Sequence, residues 1–87
     1  MIDVKTAANK AYEYFRDLYA DKDFSAVLLE EVELTDDQNF WLITLSYLMP
    51  AMDPPQLFGT APKRAYKIFT IDANTGKVKS MKIRTIK

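Results

Sequence analysis

The sequence predicts an α+β fold in which one N-terminal amphipathic helix packs on a four-stranded antiparallel β-sheet, in the order α-β-β-β-β. Two observations lead to this class. Apolar residues recur with helical spacing near the N-terminus, and apolar-rich segments separated by polar or proline-rich connections follow as far as residue 83. A helix on one face of an antiparallel sheet buries both apolar surfaces in two layers. With 87 residues the chain has room for a single core, so we expect one domain over residues 1–87.

The first element is a helix predicted over residues 4–20, with Asp3 as its N-cap. Because each residue advances by about 100° around a helix axis, the apolar side chains fall on one side and most charged side chains on the other. The apolar side consists of Val4, Ala7, Ala8, Ala11, Phe15 and Leu18. Its alanines are small, so we expect the helix to lie close to the sheet.

A strand, a polar turn and a second strand are predicted next. The first strand covers about residues 26–35, and its Val27-Leu28-Leu29 run breaks strict alternation, which predicts a β-bulge or a late start. Residues 36–39 form a turn of a length that suits a hairpin. In the second strand, residues 40–49, we expect one row of side chains to face the helix and the other to be partly exposed. The first row is Trp41, Ile43, Leu45 and Tyr47, and the second is Phe40, Leu42, Thr44, Ser46 and Leu48.

The second half of the chain predicts a proline-rich connection followed by another hairpin. Residues 50–63 contain all four prolines, which cannot donate to a strand ladder, so this segment is interpreted as a long loop. Beyond it, two apolar strands flank a turn at residues 72–76, where Asp72, Asn74 and Gly76 supply turn chemistry.

The closing hairpin also carries a family resemblance. The residues concerned are Tyr66, Ile71, Asp72, Ala73, Thr75, Gly76, Lys77 and Val78, and they follow an alanine-rich helix and a strand at residues 29–34. In this pattern and in the order of its elements the chain resembles the PepSY domain family. The resemblance implies a PepSY-like or cystatin-like two-layer module, generally non-catalytic, with an inhibitory or regulatory role toward another protein.

The composition narrows the possible chemistry. The chain has no cysteine and no histidine, which removes disulfides, thiolates, the commonest metal ligand and the commonest general base. No nucleophile–base pair, phosphate-binding glycine loop or metal constellation can be assembled from the other residues, so we expect no enzymatic activity, cofactor or metal site. The N-terminus lacks the pattern of a signal peptide and the longest apolar run is too short to cross a bilayer, which predicts a cytoplasmic protein without a membrane partner.

Two acidic segments are interpreted as structural. The first is the cluster Glu30, Glu31, Glu33, Asp36 and Asp37. Paired carboxylates can hydrolyse glycosides or bind a hard cation, but glutamates that alternate with apolar residues are typical of a solvated strand face. The second segment, at residues 72–76, does not fit the EF-hand pattern, because its fifth position is Gly76 and its twelfth is Ile83.

Charge is distributed unevenly along the chain, although the formal net charge is zero. Residues 1–55 carry four basic and eleven acidic side chains, a net charge of −7, and residues 56–87 carry eight basic and one acidic, a net charge of +7. Oppositely charged cross-strand neighbours stabilise sheets, so we expect strands of opposite sign to lie near each other.

We expect the chain to act by binding another protein. One favoured surface lies in the proline-rich segment, where flexible methionines and an aromatic residue suit a protein contact, and its residues are Met49, Met52, Leu57 and Phe58. The other is the mixed face of the strand at residues 40–48. Self-association through an edge strand is a version of the same hypothesis. The alternative is binding of an anionic polymer such as nucleic acid through the basic C-terminal strands, with Lys67, Lys79, Lys82 and Arg84 as contact residues.

Overall fold

The computed structural model describes residues 1–22, 24–48 and 64–85, which form one helix and a sheet of four strands. The elements are α1 (Val4–Leu18), β1 (Ser25–Leu34), β2 (Phe40–Leu48), β3 (Arg64–Asp72) and β4 (Val78–Ile83). Each strand pairs antiparallel with the next, so the sheet order is β1-β2-β3-β4, and α1 packs on one face. The predicted fold class is confirmed. The predicted loop at residues 50–63 lies outside the described residues.

The helix α1 begins at the predicted N-cap. The Asp3 carboxylate accepts a hydrogen bond of 2.8 Å from the Thr6 backbone N–H, a donor that has no partner within the helix. α1 ends at Leu18, two residues earlier than predicted, and the Tyr19 N–H closes the last turn by donating to the Phe15 carbonyl oxygen over 3.1 Å. Of the helical segments in the described ranges, none has the length and apolar character needed to cross a bilayer.

The apolar stripe of α1 is buried only in its middle. Ala7 and Ala11 are fully buried and Phe15 is 3% exposed, whereas Val4 and Leu18 are 38% and 51% exposed. These two end residues belong to the predicted apolar side of the helix, but the sheet does not cover them. The reason is geometric, since only the middle of α1 lies against the sheet, and the small alanines there allow the close approach.

The core lies between α1 and the central strands β2 and β3. Ile43, Leu45 and Tyr47 of β2 face the helix beside Phe69 and Ile71 of β3, and each of the five is at most 4% exposed. This confirms the predicted inward row of β2. Removal of these side chains from water is the main favourable term in folding.

An aromatic cluster extends the core at the C-terminal end of α1. The Phe15 ring lies 4.8 Å from that of Tyr47 and 5.0 Å from that of Tyr19, measured between centroids, and Phe24 lies 4.7 Å from Tyr47. Aromatic pairs at such distances stabilise a fold beyond the area they bury. Phe24 thereby fixes the place where the chain enters the sheet after the helix.

The N-terminal segment is held at the other end of the sheet. The Ile2 N–H donates to the Ala73 carbonyl oxygen over 2.7 Å, and the indole N–H of Trp41 donates to the Ile2 carbonyl oxygen over 3.1 Å. Trp41 therefore begins the inward row of β2 as a half-buried side chain whose polar edge has a partner.

The strand β1 contains the predicted bulge. Its register against β2 shifts between Ser25 and Leu28 and again between Leu29 and Glu31. At a bulge, two residues of one strand oppose one residue of its partner, so the following side chains are re-aimed. The second shift places both Glu30 and Glu31 within reach of the face opposite the helix, which the next subsection describes through their contacts.

Aspartate side chains organise both hairpin turns. In the β1–β2 turn, the Asp37 carboxylate accepts hydrogen bonds from the Thr35 hydroxyl over 2.6 Å and from the Asn39 N–H over 3.0 Å. The Thr35 hydroxyl is the largest cause that lowers the pKa of Asp37 from its ordinary value. The polar turn predicted at residues 36–39 is confirmed.

In the β3–β4 turn, the Asp72 carboxylate accepts hydrogen bonds from the backbone N–H groups of Thr75 and Asn74, over 2.9 and 2.8 Å. These bonds, with the one from Thr75 first, lower the pKa of Asp72 from its ordinary value of 3.8. Gly76 follows with a φ of 77°, a left-handed conformation that a side chain would strain. The side-chain and backbone hydrogen bonds of a turn therefore account for the polar residues at positions 72–76, as the mismatch with the EF-hand pattern indicates.

We expect Ile43→Ala to lower the free energy of unfolding by about 2–5 kcal/mol, because it leaves a cavity in the core. The matched control is Ile83→Ala at the edge of the sheet, where the side chain is 77% exposed and Ile43 is fully buried. The control should change stability by no more than about 0.5 kcal/mol. Urea unfolding of both variants measures the difference, and equal losses would show that the core is misassigned.

We expect Asp72→Asn to be destabilising at neutral pH, and its deficit relative to the wild type to shrink in acid. Because the folded-state pKa of Asp72 lies below 3.8, its ionised form stabilises the fold above the unfolded-state pKa, and that contribution disappears as the pH falls through the folded-state pKa. Urea unfolding of both proteins from neutral pH to below 3.8 measures this difference. A deficit that does not change with pH would contradict the role of the charge.

Candidate functional site

The face of the sheet opposite α1, the open face, carries the even-numbered row of β2. Thr44 and Ser46 in the middle of this row are 1% and 0% exposed. The expectation of partial exposure is confirmed for Phe40, Leu42 and Leu48 and is wrong for the two hydroxyl residues. The reason is that Arg64 of the neighbouring strand β3 binds the Ser46 hydroxyl, and Arg84, which follows β4, binds the Thr44 hydroxyl.

Ser46 is the centre of a hydrogen-bonded group that joins β3 to β1. Nη1 of Arg64 donates to the Ser46 hydroxyl oxygen over 2.8 Å and to the Ala26 carbonyl oxygen over 2.9 Å. The Ser46 hydroxyl donates in turn to the Glu30 carboxylate over 2.9 Å. Within residues 1–22, 24–48 and 64–85, no buried side-chain nitrogen or oxygen lacks a hydrogen bond, so this polar group is compatible with a stable sheet.

A second group centres on Thr44 and reaches across the sheet. Arg84 follows β4, and its backbone N–H donates to the Tyr66 carbonyl oxygen of β3 over 3.0 Å. Its guanidinium donates to the Thr44 hydroxyl oxygen over 3.0 Å and forms a salt bridge of 3.0 Å with Glu31 of β1. One side chain thus joins the C-terminal edge of the sheet to the N-terminal edge. It pairs the basic part of the chain with the acidic part, as the charge distribution predicts.

The structure does not bring the four predicted anion-binding residues together. Lys67 lies on the helix side, with Nζ 5.9 Å from the centre of the Tyr19 ring. Lys79 lies over Phe40, with Nζ 4.8 Å from the ring centre. Arg84 is engaged by Glu31 and Thr44, while Lys82 is exposed on β4. The other predicted site, formed by Met49, Met52, Leu57 and Phe58, lies outside the described residues and stays a prediction.

The acidic cluster of β1 and its turn is divided among different contacts. Glu30 binds Ser46, Glu31 binds Arg84, and Asp37 holds the turn. In the part of the chain that the structure describes, no group of three or more acidic side chains has an arrangement suited to a metal ion. Contacts within the sheet account for these three carboxylates.

The outer edge of β1 is the most apolar exposed part of the sheet. Leu28, Leu29 and Val32 are 50%, 53% and 45% exposed. Leu29 pairs with Leu45 and Val32 with Ile43, which places both on the helix side, beside the core and beyond the cover of α1. In the described residues β1 pairs with β2 alone, so its second backbone edge is free. Sequence periodicity finds the strand but not its edge position, because strand order depends on contacts distant in sequence.

A cleft of roughly 150 Å³ lies between the C-terminal half of α1 and the start of β1. Its lining residues are Tyr12, Phe15, Arg16, Tyr19, Ala20, Lys22, Phe24 and Val27. The lining is mainly aromatic and aliphatic, with two cationic side chains and no carboxylate. The cleft opens beside the first residues of β1 and so adjoins its free edge.

Comparison of the chain with family models, with curated proteins and with solved structures gave no match.

The sequence analysis did not predict the hydrogen bonds of the open face. Two small hydroxyl residues, Thr44 and Ser46, interrupt an otherwise apolar strand, and Arg64 and Arg84 are the two arginines in a C-terminal part whose other basic residues are lysines. Arginine is the residue that forms several directed hydrogen bonds at once. These two departures from the local composition are the signal that points to a cross-strand network.

We expect Arg84→Ala to lower the free energy of unfolding by about 1–3 kcal/mol, because the buried Thr44 hydroxyl loses its partner. The exposed ion pair with Glu31 adds little to this. Lys82→Ala on the same strand is the matched control and should change stability by no more than about 0.5 kcal/mol. Similar values for both variants in urea unfolding would show that Arg84 does not hold the sheet together.

Proposed function

We propose that this chain is a non-catalytic protein-binding module that accepts an extended segment of another polypeptide at the free edge of β1. The observation that carries the proposal is a set of half-exposed apolar side chains on an edge strand of ten residues, with Leu29 and Val32 on the helix side and Leu28 on the open face. An edge strand presents unpaired backbone N–H and C=O groups, which form a template for another strand. Proteins normally shorten or cover such edges, and apolar side chains on a long edge are typical of a binding surface.

The surroundings of β1 supply specificity as well as affinity. In strand addition, main-chain hydrogen bonds provide affinity, and pockets for alternate side chains provide specificity. An added strand would place every second side chain on the helix side, next to Leu29 and Val32. Near the start of β1 the same side adjoins the cleft lined in part by Phe24 and Val27, and this cleft has room for a side chain of an added strand.

The distribution of charge favours the binding of a polypeptide segment at β1 over the binding of an anionic polymer. Register and side-chain contacts place four basic and four acidic residues on the open face: Arg64, Lys79, Lys82 and Arg84, and Glu30, Glu31, Glu33 and Asp72. These opposite charges balance, and both arginines bind groups of the same chain. A surface that follows a phosphate backbone needs an excess of free cations.

The hypotheses drawn from the sequence are compatible with this proposal. The PepSY resemblance supports a binding role that inhibits or regulates the partner, and strand addition is one way of blocking a partner's own segment. The predicted contact at Met49, Met52, Leu57 and Phe58 lies outside the described residues and stays a prediction.

We expect Leu29→Lys to reduce the capture of a protein partner from a lysate of the source organism by at least about tenfold, equivalent to 1.4 kcal/mol. The lysine would place a charge in the apolar contact. Leu18→Lys is the matched control, because Leu18 is 51% exposed and Leu29 is 53% exposed. The control lies near the C-terminal end of α1, where a cation is favourable, and should capture the partner as the wild type does.

Quantitative mass spectrometry of the bound fractions, with nuclease-treated and untreated lysates and at two salt concentrations, measures this effect. Capture that is equal in both lysine variants would overturn the β1 surface. Loss of the captured material on nuclease treatment would instead support the anionic-polymer alternative.

A further inference from the structure

The second edge of the sheet, β4, has a surface that complements β1. On the helix side, β4 presents Met81 and Ile83, and Ile83 is 77% exposed. On the open side it presents Lys82, which pairs with Ile68 of β3. β4 therefore carries apolar side chains on one side and a cation on the other. β1 carries Leu29 and Val32 on the helix side, and it carries Leu28 and the carboxylates of Glu31 and Glu33 on the open side.

The register of the sheet aligns the complementary residues in rows. Through the pairs of neighbouring strands, Leu29 of β1 lies in the same row as Ile83 of β4. In the same way Val32 shares a row with Met81. On the open face, Glu31 shares a row with Lys82. If a second copy is placed beside the first, displaced across the strands so that its β4 lies next to β1 of the first copy, the two residues of each of these pairs come together.

Because the sheet has an even number of antiparallel strands, this displacement gives the two edges the correct relative direction for pairing. Four antiparallel strands run alternately, so β4 of a displaced copy is antiparallel to β1 of the first copy, and both helices stay on the same side. Pairing of β1 with a second β1 would instead place carboxylates opposite carboxylates, and pairing of β4 with β4 would place lysines near lysines. Like charges directly opposite are destabilising, and opposite charges are favourable.

We propose that the segment accepted at β1 is β4 of a second copy of this chain, in a head-to-tail antiparallel sheet. This inference rests on the proposed function, since it names the occupant of the same edge. The contact is heterologous, so each added copy leaves a free β1 and a free β4. Neighbouring strands rotate by about 20–25°, so each four-stranded copy turns by about 80–100° and the assembly grows as a twisted, open-ended sheet.

The test uses charge reversal at exposed positions of the two edges. Glu33→Lys changes the net charge of the β1 glutamates Glu30, Glu31 and Glu33 from −3 to −1, and Lys82→Glu changes that of the β4 lysines Lys79 and Lys82 from +2 to 0. Each variant alone therefore has a weaker attraction between its two edges. Sedimentation velocity over a wide range of protein concentration should show a concentration-dependent rise in mass for the wild type and a smaller rise for each variant. In an equimolar mixture, the unchanged β1 of the Lys82→Glu variant meets the unchanged β4 of the Glu33→Lys variant, so the mixture should form dimers more strongly than either variant alone.

Two controls separate the edge effect from net charge. Glu13→Lys and Lys5→Glu make the same changes on α1, at exposed positions away from both edges, and should associate like the wild type. Circular dichroism confirms that each variant is folded. A wild type whose mass does not depend on concentration would overturn the inference, and so would single variants that associate as strongly as the wild type.

Failure of this inference and failure of the proposed function give different results. If the wild type is monomeric at every concentration but Leu29→Lys still loses a partner from the lysate, β1 accepts a strand from a different protein and only the second-copy proposal is wrong. If the wild type is monomeric and Leu29→Lys has no effect on capture, both proposals are wrong.

Discussion

The sheet depends on a set of side-chain hydrogen bonds on its open face. α1 covers one face, and in the described residues no helix or strand packs on the other. Arg64 and Arg84 bind the hydroxyl groups of Ser46 and Thr44 there, and carboxylates of β1 complete both groups. Hydrogen bonds to charged groups are stronger than neutral ones. The side chains therefore join strands that the backbone ladder connects only through their neighbours.

The elements that local chemistry specifies were predictable from the sequence. The helix follows from its apolar period and its Asp3 cap, and the turns follow from residues such as Asp72 and Gly76, whose conformational preferences act over a few positions. The extent of burial along α1 was not predictable in the same way. Val4 and Leu18 satisfy the helical period, but their exposure depends on where the sheet ends.

The candidate site was less predictable because its parts are far apart in the chain. The free edge of β1 exists because β2 occupies its other side, and the partner of Glu31 is a residue of the last segment. Periodicity assigned the even row of β2 to a mixed surface, which is correct for Leu42. It could not show that arginines from other strands would cover Thr44 and Ser46. The proline-rich segment favoured by composition lies outside the described residues.

The position of Trp41 makes its intrinsic fluorescence a probe of the N-terminal segment. It is the sole tryptophan of the sequence, and its indole N–H bonds the carbonyl oxygen of Ile2, in the segment that precedes the helix. Its fluorescence emission therefore responds to the detachment of that segment, whereas the far-ultraviolet circular dichroism signal responds largely to α1. If both signals change together during denaturation, the N-terminal segment unfolds with the helix as one cooperative unit. If emission shifts first, the junction between the chain start and the sheet opens before the core does.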